Sequence, residues 1–199
     1  MSDRNHERVV APLEGRKAEF FQVILEIVTD SGVTGVSTAE VARRMGITQP
    51  AIYRHFKSRD QMLYFFVEVL SDRLGGIMTE AKKGSDPAAQ LDLLFAAHFE
   101  MVRNYPALPG IVLSDAIYAA STSLKSLLRS TIMGYRSGIQ EILQEGTERG
   151  MFRKLDTNVM AHMILGAILS STMVYNLGQK PGPDEMEGFR KTLKQILME

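Results

Sequence analysis

The chain has 199 residues, of which 45% are hydrophobic and 23% are charged, a composition typical of a soluble globular protein. It contains no cysteine, which excludes disulfides, thiolate metal sites and cysteine nucleophiles, and suits a reducing cytoplasm. The first 15 residues are polar and mixed in charge, so we expect no secretory signal. Basic and acidic residues balance at 23 each, yet residues 38–59 include five basic residues and one acidic residue, a net of +4. We therefore expect a compact basic surface on a neutral or acidic body.

Hydrophobic residues recur mainly at helical spacing, and alternating strand patterns are hard to find, which predicts an all-α fold of about nine helices. With their capping residues, the helices are expected at 15–31, 37–46, 48–56, 58–81, 87–104, 111–120, 123–150, 156–178 and 184–198. Glycine and proline mark the breaks between them, including a linker at 179–183.

Two capping boxes mark the basic segment. Ser37 with Glu40, and Ser58 with Gln61, have the spacing in which a hydroxyl accepts from a first-turn amide. In the same motif the acidic or amide side chain reaches back to the N–H of the capping residue. Thr48 is expected to cap the short helix between these two boxes. Helix starts are therefore well specified in this part of the chain.

The short helices on either side of Gly46 predict a helix-turn-helix. Gly46 can adopt the positive φ that such a turn requires, and Ala42 is small enough for the two helices to cross closely. The expected core contacts around the crossing come from Val41, Met45, Ile47 and Ile52. A generic helical corner with a solvated basic face is the alternative interpretation.

In a helix-turn-helix, the second helix enters the major groove with its N-terminal residues at the base edges. The residues expected there are Gln49, Pro50, Ala51 and Arg54. Glutamine can hold adenine through two hydrogen bonds, and arginine can hold guanine in the same way. The residues expected to contact phosphates are Thr38, Thr48, Tyr53, His55, Lys57 and Arg59. For His55 the alternative is a structural role in the core.

Residues 38–62, TAEVARRMGITQPAIYRHFKSRDQM, resemble the DNA-binding region of the TetR (tetracycline-repressor-like) family of bacterial transcriptional regulators. The resemblance covers roughly the first 70 residues, and YRHF followed by Lys57 is its most characteristic part. It implies an all-helical homodimer, with a three-helix DNA-binding domain at 1–57 on each half of a palindromic operator. Residues 58–199 would form the effector-binding and dimerisation domain. The DNA contacts that the resemblance carries over are Thr38, Gln49, Pro50, Ala51, Tyr53, Arg54, His55 and Arg59.

Residues 159–177 contain no Asp, Glu, Lys or Arg. Their length would permit a membrane span, but scattered polar residues favour a helix buried between its own domain and a partner. We expect this helix and the last one to form a four-helix bundle with their counterparts across a two-fold axis. The predicted interface residues are Ile164, Ala167, Ile168, Ser171, Phe189, Leu193, Ile196 and Leu197. The alternative is a core helix within one chain.

An effector pocket is the least specified feature of the sequence. Many of the twelve methionines follow Met62, and methionine fills both adaptable pockets and ordinary cores. The candidate pocket residues are Phe95, His98, Phe99, Tyr118, Met133 and Tyr135. Because its neighbours are apolar, His98 fits a hydrogen-bonded core residue better than a ligand contact.

These observations predict a one-component transcriptional regulator, most simply a repressor, that binds DNA as a dimer and is released by a small-molecule effector. No nucleophile elbow, phosphate loop, dinucleotide turn or His-Glu metal motif is present, so we expect no enzyme activity, cofactor or metal. The alternative has the same fold and acts through a protein partner, as in nucleoid-occlusion factors of cell division. A helical interaction module that does not bind DNA is more remote. The expected location is the bacterial cytoplasm, on the nucleoid and not in a membrane.

Overall fold

A computed structural model of the chain describes residues 14–105, 108, 112, 114–176 and 183–198. Within these ranges the regular structure is helical, which confirms the predicted all-α fold. The helices are α1 Gly15–Ser31, α2 Thr38–Met45, α3 Gln49–Ile52, α4 Arg59–Ala81, α5 Pro87–Asn104, α6 Asp115–Tyr118, α7 Thr122–Glu148, α8 Thr157–Asn176 and α9 Pro183–Met198. A single 3-10 turn, Val33–Gly35, separates α1 from α2.

Two helices are shorter than predicted. After α3 ends at Ile52, the chain tightens into turns in which His55 N–H donates to the Ile52 carbonyl at 2.8 Å. These turns bring Phe56 into the core, where its ring meets that of Phe20 edge-on at 5.0 Å. Helix α6 begins after Ser114, whose Oγ accepts from a first-turn amide. Parts of the predicted segment 111–120 and most of the predicted linker lie outside the described residues.

Both capping boxes form only in part. Ser37 Oγ accepts from Glu40 N–H at 3.1 Å, but the Glu40 carboxylate accepts from arginines in the next turn. Charge-assisted bonds of that kind are stronger than a bond to a neutral amide, which explains the difference. Ser58 Oγ accepts from Gln61 N–H at 3.2 Å, whereas Gln61 Oε1 accepts from the N–H of Lys57. Thr48 precedes α3 without a side-chain capping bond, contrary to expectation.

By its packing the chain forms two compact units. The first unit comprises the described residues up to Arg73 together with Tyr105–Thr131, and the second comprises Leu74–Asn104 and the residues from Ile132 onward. Helices α4 and α7 each run from one unit into the other. The boundary predicted after residue 57 separates functional domains and not packing units, and it stays a prediction.

The first unit has an apolar core contributed mainly by α1 to α4. Ile24, Ile27 and Ile52 are fully buried, and the Phe21 ring stacks on Phe66 at 5.1 Å. Burial of side chains of this size contributes roughly 1.5–3 kcal/mol each.

Two polar contacts also join α4 to later residues of the first unit. The Asp60 carboxylate accepts from Ser121 N–H at 2.9 Å, and the Arg73 guanidinium lies 3.9 Å from the centre of the Tyr105 ring. These contacts hold Tyr105 and Ser121 to α4, the helix that follows α3.

In the second unit α5 packs against α9. The Phe95 ring meets that of Phe189 edge-on at 5.2 Å, and Asp92 forms ion pairs with Arg190 and Lys194. None of the helices in the described part of the chain has the length and the apolar run needed to cross a membrane.

Candidate nucleic-acid interface

The predicted helix-turn-helix is formed by α2, the turn at Gly46 and α3. Gly46 adopts the left-handed conformation, with φ 64° and ψ 29°, and its N–H donates to the last turn of α2. A Cβ at this φ would be strained, which explains the glycine. Ile47 N–H donates to the carbonyl of Ala42, a buried residue of α2. Packing of α1 on α2 and of α2 on α3 completes the three-helix arrangement.

The predicted core residues of this arrangement follow a gradient of burial. Val41 and Ile52 are completely buried, while Met45 and Ile47 are half-buried. The apolar side of α3 is therefore anchored, and its opposite side faces outward.

The outward side of α3 and the turn after it carry most of the predicted DNA contacts. The exposed members are Thr48, Gln49, Pro50, Tyr53, Arg54, His55 and Lys57, and the half-buried members are Thr38, Ala51 and Arg59. Tyr53 is 43% exposed although it is a large aromatic residue. Among the described residues Arg54 has no ion pair or hydrogen-bonded partner for its side chain. Its guanidinium is therefore available to an external acceptor.

Two of these residues are also held by local contacts. Lys57 Nζ donates to the Tyr53 carbonyl at 2.8 Å, which keeps the ammonium group beside the end of α3. The His55 ring packs 4.9 Å from that of Phe20 while the residue stays exposed. One face of the imidazole is thus fixed, and the remainder stays accessible.

The basic surface is smaller than the residue count suggests. Glu40 accepts from Arg43 and Arg44 at 2.6 and 2.8 Å, and Arg44 also pairs with Asp30 of α1 at 2.7 Å. The hydrogen bonds from Arg43 and then Arg44 lower the pKa of Glu40 to about 2. The helical spacing of Glu40 and the arginines indicates this pairing in the sequence, whereas the participation of Asp30 depends on the fold. Arg54 and Lys57 remain as the positive charges next to α3.

Arg59 differs from its prediction as a phosphate contact. Its guanidinium donates to the carbonyls of Val33 and Val36, both at 2.8 Å, and the residue is half-buried. Those carbonyls lie in the segment between α1 and α2, where the Val33 carbonyl also accepts from Val36 N–H in the 3-10 turn. Arg59 thus ties the start of α4 to this segment, and its placement gives no support to a DNA contact.

The candidate effector residues divide into a buried group and the rest. Phe95, His98, Phe99 and Tyr135 are buried in the second unit, where His98 Nδ1 lies 3.1 Å from the Tyr135 hydroxyl. Burial lowers the pKa of His98 to about 4 and raises the pKa of Tyr135, so both side chains are neutral at physiological pH.

The other two pocket candidates do not join this group. Met133 is 43% exposed, and its place in an effector pocket stays a prediction. The side chain of Tyr118 lies outside the described residues. Between α5 and α9 a cavity of about 10 Å³ is bordered by Leu91, Phe95 and Leu193. That volume holds roughly one water molecule, whereas ligand pockets measure about 300–1,000 Å³.

The residues predicted to form the dimer interface also differ in burial. Ile164, Ile168, Leu193 and Leu197 are buried within the chain, Ala167, Ser171 and Phe189 are half-buried, and Ile196 is 40% exposed. The four buried side chains pack within their own chain, and the dimer interface stays a prediction. Because α8 is apolar on nearly all sides, the sequence cannot distinguish its inner face from its outer face.

A different face of α8 is exposed. Val159, Met163 and Met173 are each at least half exposed, and Gly166 and Ser170 lie between them on the same side. We call these five residues the α8 stripe. Their spacing of three and four residues places them along one line of the helix.

The fold and the outward face of α3 together define a helix-turn-helix protein. A family model described as bacterial regulatory proteins, tetR family, matches residues 22–64, and one described as YsiA-like protein, C-terminal region, matches residues 66–177. The second match alone spans more than half of the chain. The chain belongs to the TetR family of bacterial regulatory proteins.

The individual relatives include both a nucleoid occlusion factor and transcriptional regulators. The nucleoid occlusion factor SlmA of Shewanella sp. (strain W3-18-1) is 29% identical over 164 residues, which are 78% of this chain and 80% of that protein. The ketosteroid transcriptional regulator KstR2 of Mycobacterium tuberculosis has a TM-score of 0.77 at 20% identity, covering 96% and 100% of the two chains. FadR from Bacillus subtilis, in complex with stearoyl-CoA, has a TM-score of 0.72 at 18% identity, covering 89% and 95%. These solved structures share the fold.

Proposed function

We propose that the chain is a one-component transcriptional repressor that binds a palindromic operator as a homodimer and is released by a small-molecule effector. The observation that carries this proposal is the outward face of α3 in a member of the TetR family, where the Arg54 side chain has no bonded partner within the described part of the chain. In this proposal residues 1–57 bind DNA and residues 58–199 bind the effector and the second subunit. The protein acts in the bacterial cytoplasm on the nucleoid.

The proposed DNA contacts fall into two groups. Gln49, Pro50, Ala51 and Arg54 meet base edges in the major groove, while Thr38, Thr48, Tyr53, His55 and Lys57 hold phosphates. Support comes from the exposure of nearly all of these side chains on one short segment. Arg59 is left out because the carbonyls of Val33 and Val36 occupy its guanidinium.

The proposed dimer interface is the α8 stripe with the exposed residues of α9. Two copies of the stripe would pair about a two-fold axis, where Gly166 and Ser170 permit close helix contact. Two helix-turn-helix units must lie about 34 Å apart to enter successive major grooves. The dimer contact therefore sets the spacing on which operator affinity depends.

The proposed effector site is centred on His98 and Tyr135. Two neutral polar groups among aromatic side chains suit an apolar ligand with one carbonyl or hydroxyl group better than a ligand with a buried charge. FadR from Bacillus subtilis, solved with stearoyl-CoA, is an example of this fold in complex with an acyl ligand. Because His98 and Tyr135 are both buried, ligand binding would have to displace the side chains packed around them.

A second candidate function keeps the DNA-binding unit but replaces the small ligand with a protein partner of the division machinery. The small cavity and the relatives named nucleoid occlusion factor SlmA favour this candidate. The two candidates differ in what binds the second unit and in how DNA sites are distributed along a chromosome.

Selection of bound fragments from the source genome tests both candidates. The repressor predicts a few palindromic sites beside promoters, and release from them by a ligand with a large apolar part, such as a neutral ketosteroid or the acyl chain of the anionic stearoyl-CoA. The second candidate predicts many sites spread along the chromosome, with none released by these probes. Equal binding of all fragments would overturn both.

A further inference from the structure

We infer that Thr38 orients the side-chain amide of Gln49 so that it recognises an adenine, an inference that rests on the proposed binding to operator DNA. The observation behind it is a hydrogen bond between two helices. Gln49 Nε2 donates to Thr38 Oγ1 at 3.2 Å, across eleven residues of sequence. Thr38 begins α2 and Gln49 begins α3, so this contact joins the two helix starts nearest the proposed groove.

The bond leaves a defined set of donors and acceptors on Gln49. A carboxamide has two N–H donors and one carbonyl oxygen, and Thr38 takes one of the donors. Gln49 is exposed, and no other described residue bonds its second N–H or its Oε1 acceptor. In the major groove adenine presents an acceptor, N7, beside a donor, N6–H, which this remaining pair matches.

Guanine presents two acceptors at the same edge, N7 and O6. With one amide donor held by Thr38, Oε1 would face guanine O6, and two acceptors would meet without a proton between them. The same glutamine rotated by half a turn would offer both N–H groups and favour guanine. The hydroxyl at position 38 thus decides between two bases that the glutamine alone would accept.

A proposed phosphate contact fixes the direction of the Thr38–Gln49 bond. A phosphate oxygen near neutral pH is an acceptor, so a hydroxyl that touches it must donate its single proton there. Thr38 then has only lone pairs left, and Gln49 must present an N–H to it. Thr38 would in this way link its own contact with a DNA phosphate to the contact of Gln49 with a base.

Thr48 offers a matched control. It is the same residue type, is exposed, and immediately precedes Gln49, yet its side chain makes no capping bond to α3. If threonine hydroxyls here serve only as phosphate contacts, Thr38 and Thr48 should respond alike to removal of the hydroxyl. If Thr38 positions Gln49, only Thr38 should affect the choice of base.

The experiment selects sites from a random DNA pool with the full-length wild-type protein and with variants Q49A, T38V, T38S and T48V. The position at which Q49A loses its preference identifies the base pair that Gln49 contacts. We expect wild type to favour adenine there by on the order of 10-fold to 100-fold over other bases. T38V should reduce this preference by about 3-fold to 10-fold at the same position. T38S should restore it, and T48V should weaken binding without altering the preference.

Several results would overturn the inference. These are a guanine preference at the Gln49 position, an unchanged preference in T38V, or an equal loss of affinity on all sequences for T38V and T48V. A wild-type protein that selects no motif would overturn the proposed function as well, so the two failures are distinguishable. Thermal unfolding followed by circular dichroism checks that each variant is folded. If T38V is destabilised, T38A removes the same hydroxyl without adding a branched side chain.

Discussion

The two units differ in the exposure of the polar side chains that we propose for binding. The first unit displays Tyr53 and Arg54 at the surface beside α3, whereas the second unit encloses His98 and Tyr135 in its core. A group that meets a large, rigid polymer such as DNA must be accessible without rearrangement. A group that responds to a small molecule can stay enclosed until the ligand displaces its neighbours. The proposed DNA contacts therefore lie on an accessible surface, whereas the proposed effector site lies in a packed interior.

The largest expected effect comes from disrupting the proposed dimer interface of the second unit. The double variant Met163→Glu with Met173→Glu places two charges on the α8 stripe, and burying unpaired charges at an interface costs several kcal/mol. We expect the dimer dissociation constant to rise by at least about 100-fold, with operator binding lost while α1 to α4 stay folded. Sedimentation equilibrium and operator titration measure the two effects.

Met133→Glu is the control for that experiment. Met133 is exposed on α7 but lies outside the α8 stripe, so the same substitution there should leave the dimer intact. A dimer that survives the double variant, or is lost equally in the control, would contradict the proposed interface.

The second-largest effect is a pH dependence of stability that arises from the buried side chain of His98. Burial holds the pKa of His98 at about 4, below its usual 6.5, so between these values the unfolded chain binds more protons than the folded chain. The contribution of His98 to stability is complete above about pH 6.5 and is lost as the pH falls toward 4. We expect the free energy of unfolding to drop by a few kcal/mol across this window. Since the chain has no tryptophan, urea unfolding is followed by circular dichroism.

Two variants isolate the histidine from other titrating groups. His98→Gln should flatten the pH dependence between 6.5 and 4, because glutamine does not titrate. Tyr135→Phe should keep it, because the imidazole stays buried. Equal slopes in wild type and His98→Gln would show that His98 is not the group responsible.

A smaller effect separates two exposed cations of the first unit. Arg54→Ala should lower affinity for the operator by about 1–3 kcal/mol and relax the base preference at one position. Lys57→Ala should weaken operator and random DNA alike and reduce the slope of log K against log salt by about one. Fluorescence anisotropy over a range of salt concentrations provides both quantities. Indistinguishable behaviour of the two variants on both DNAs would remove the proposed division between base and phosphate contacts.

The smallest effect involves the ion pairs that neutralise part of the basic surface. The arginine hydrogen bonds hold the pKa of Glu40 at about 2, so its stabilising contribution is present above about pH 4.5 and is lost as the pH falls toward 2. The melting temperature of Glu40→Gln should be slightly below that of wild type at pH 7, and the difference should shrink between pH 4.5 and pH 2. A difference that is constant with pH would assign the effect to something other than the carboxylate charge.

Much of the first unit was predictable because its signals are local. Ser37, Gly46 and Ser58 mark the start of α2, the end of α2 and the start of α4, and the bounds of α1 and α2 agree with prediction to within one residue. The exposure of Arg54 follows from the same pattern, since Ile52 must face the core. The candidate DNA contacts could therefore be predicted from a few residues without knowledge of distant contacts, and they stay a prediction.

The interactions that were not predicted concern side chains with more than one possible partner. The Glu40 carboxylate accepts from arginines instead of its capping amide, and the Arg59 guanidinium donates to backbone carbonyls 23 and 26 residues away. The pairing of Gln49 with Thr38 was not foreseen, because nothing in the spacing of residues eleven apart indicates a contact. Such choices depend on which groups the folded backbone places within about 3 Å.

The amino-acid sequence by itself determined the helical class, the helix-turn-helix and the basic residues at its tip, because capping, glycine conformation and helical periodicity act within a few residues. Only the tertiary structure decided that Val159, Met163 and Met173 form the outer face of α8 and that His98 meets Tyr135 inside. When a helix is apolar on nearly every side, its local sequence does not indicate which face is buried. The buried face is determined by the residues packed against the helix, which come from distant parts of the chain.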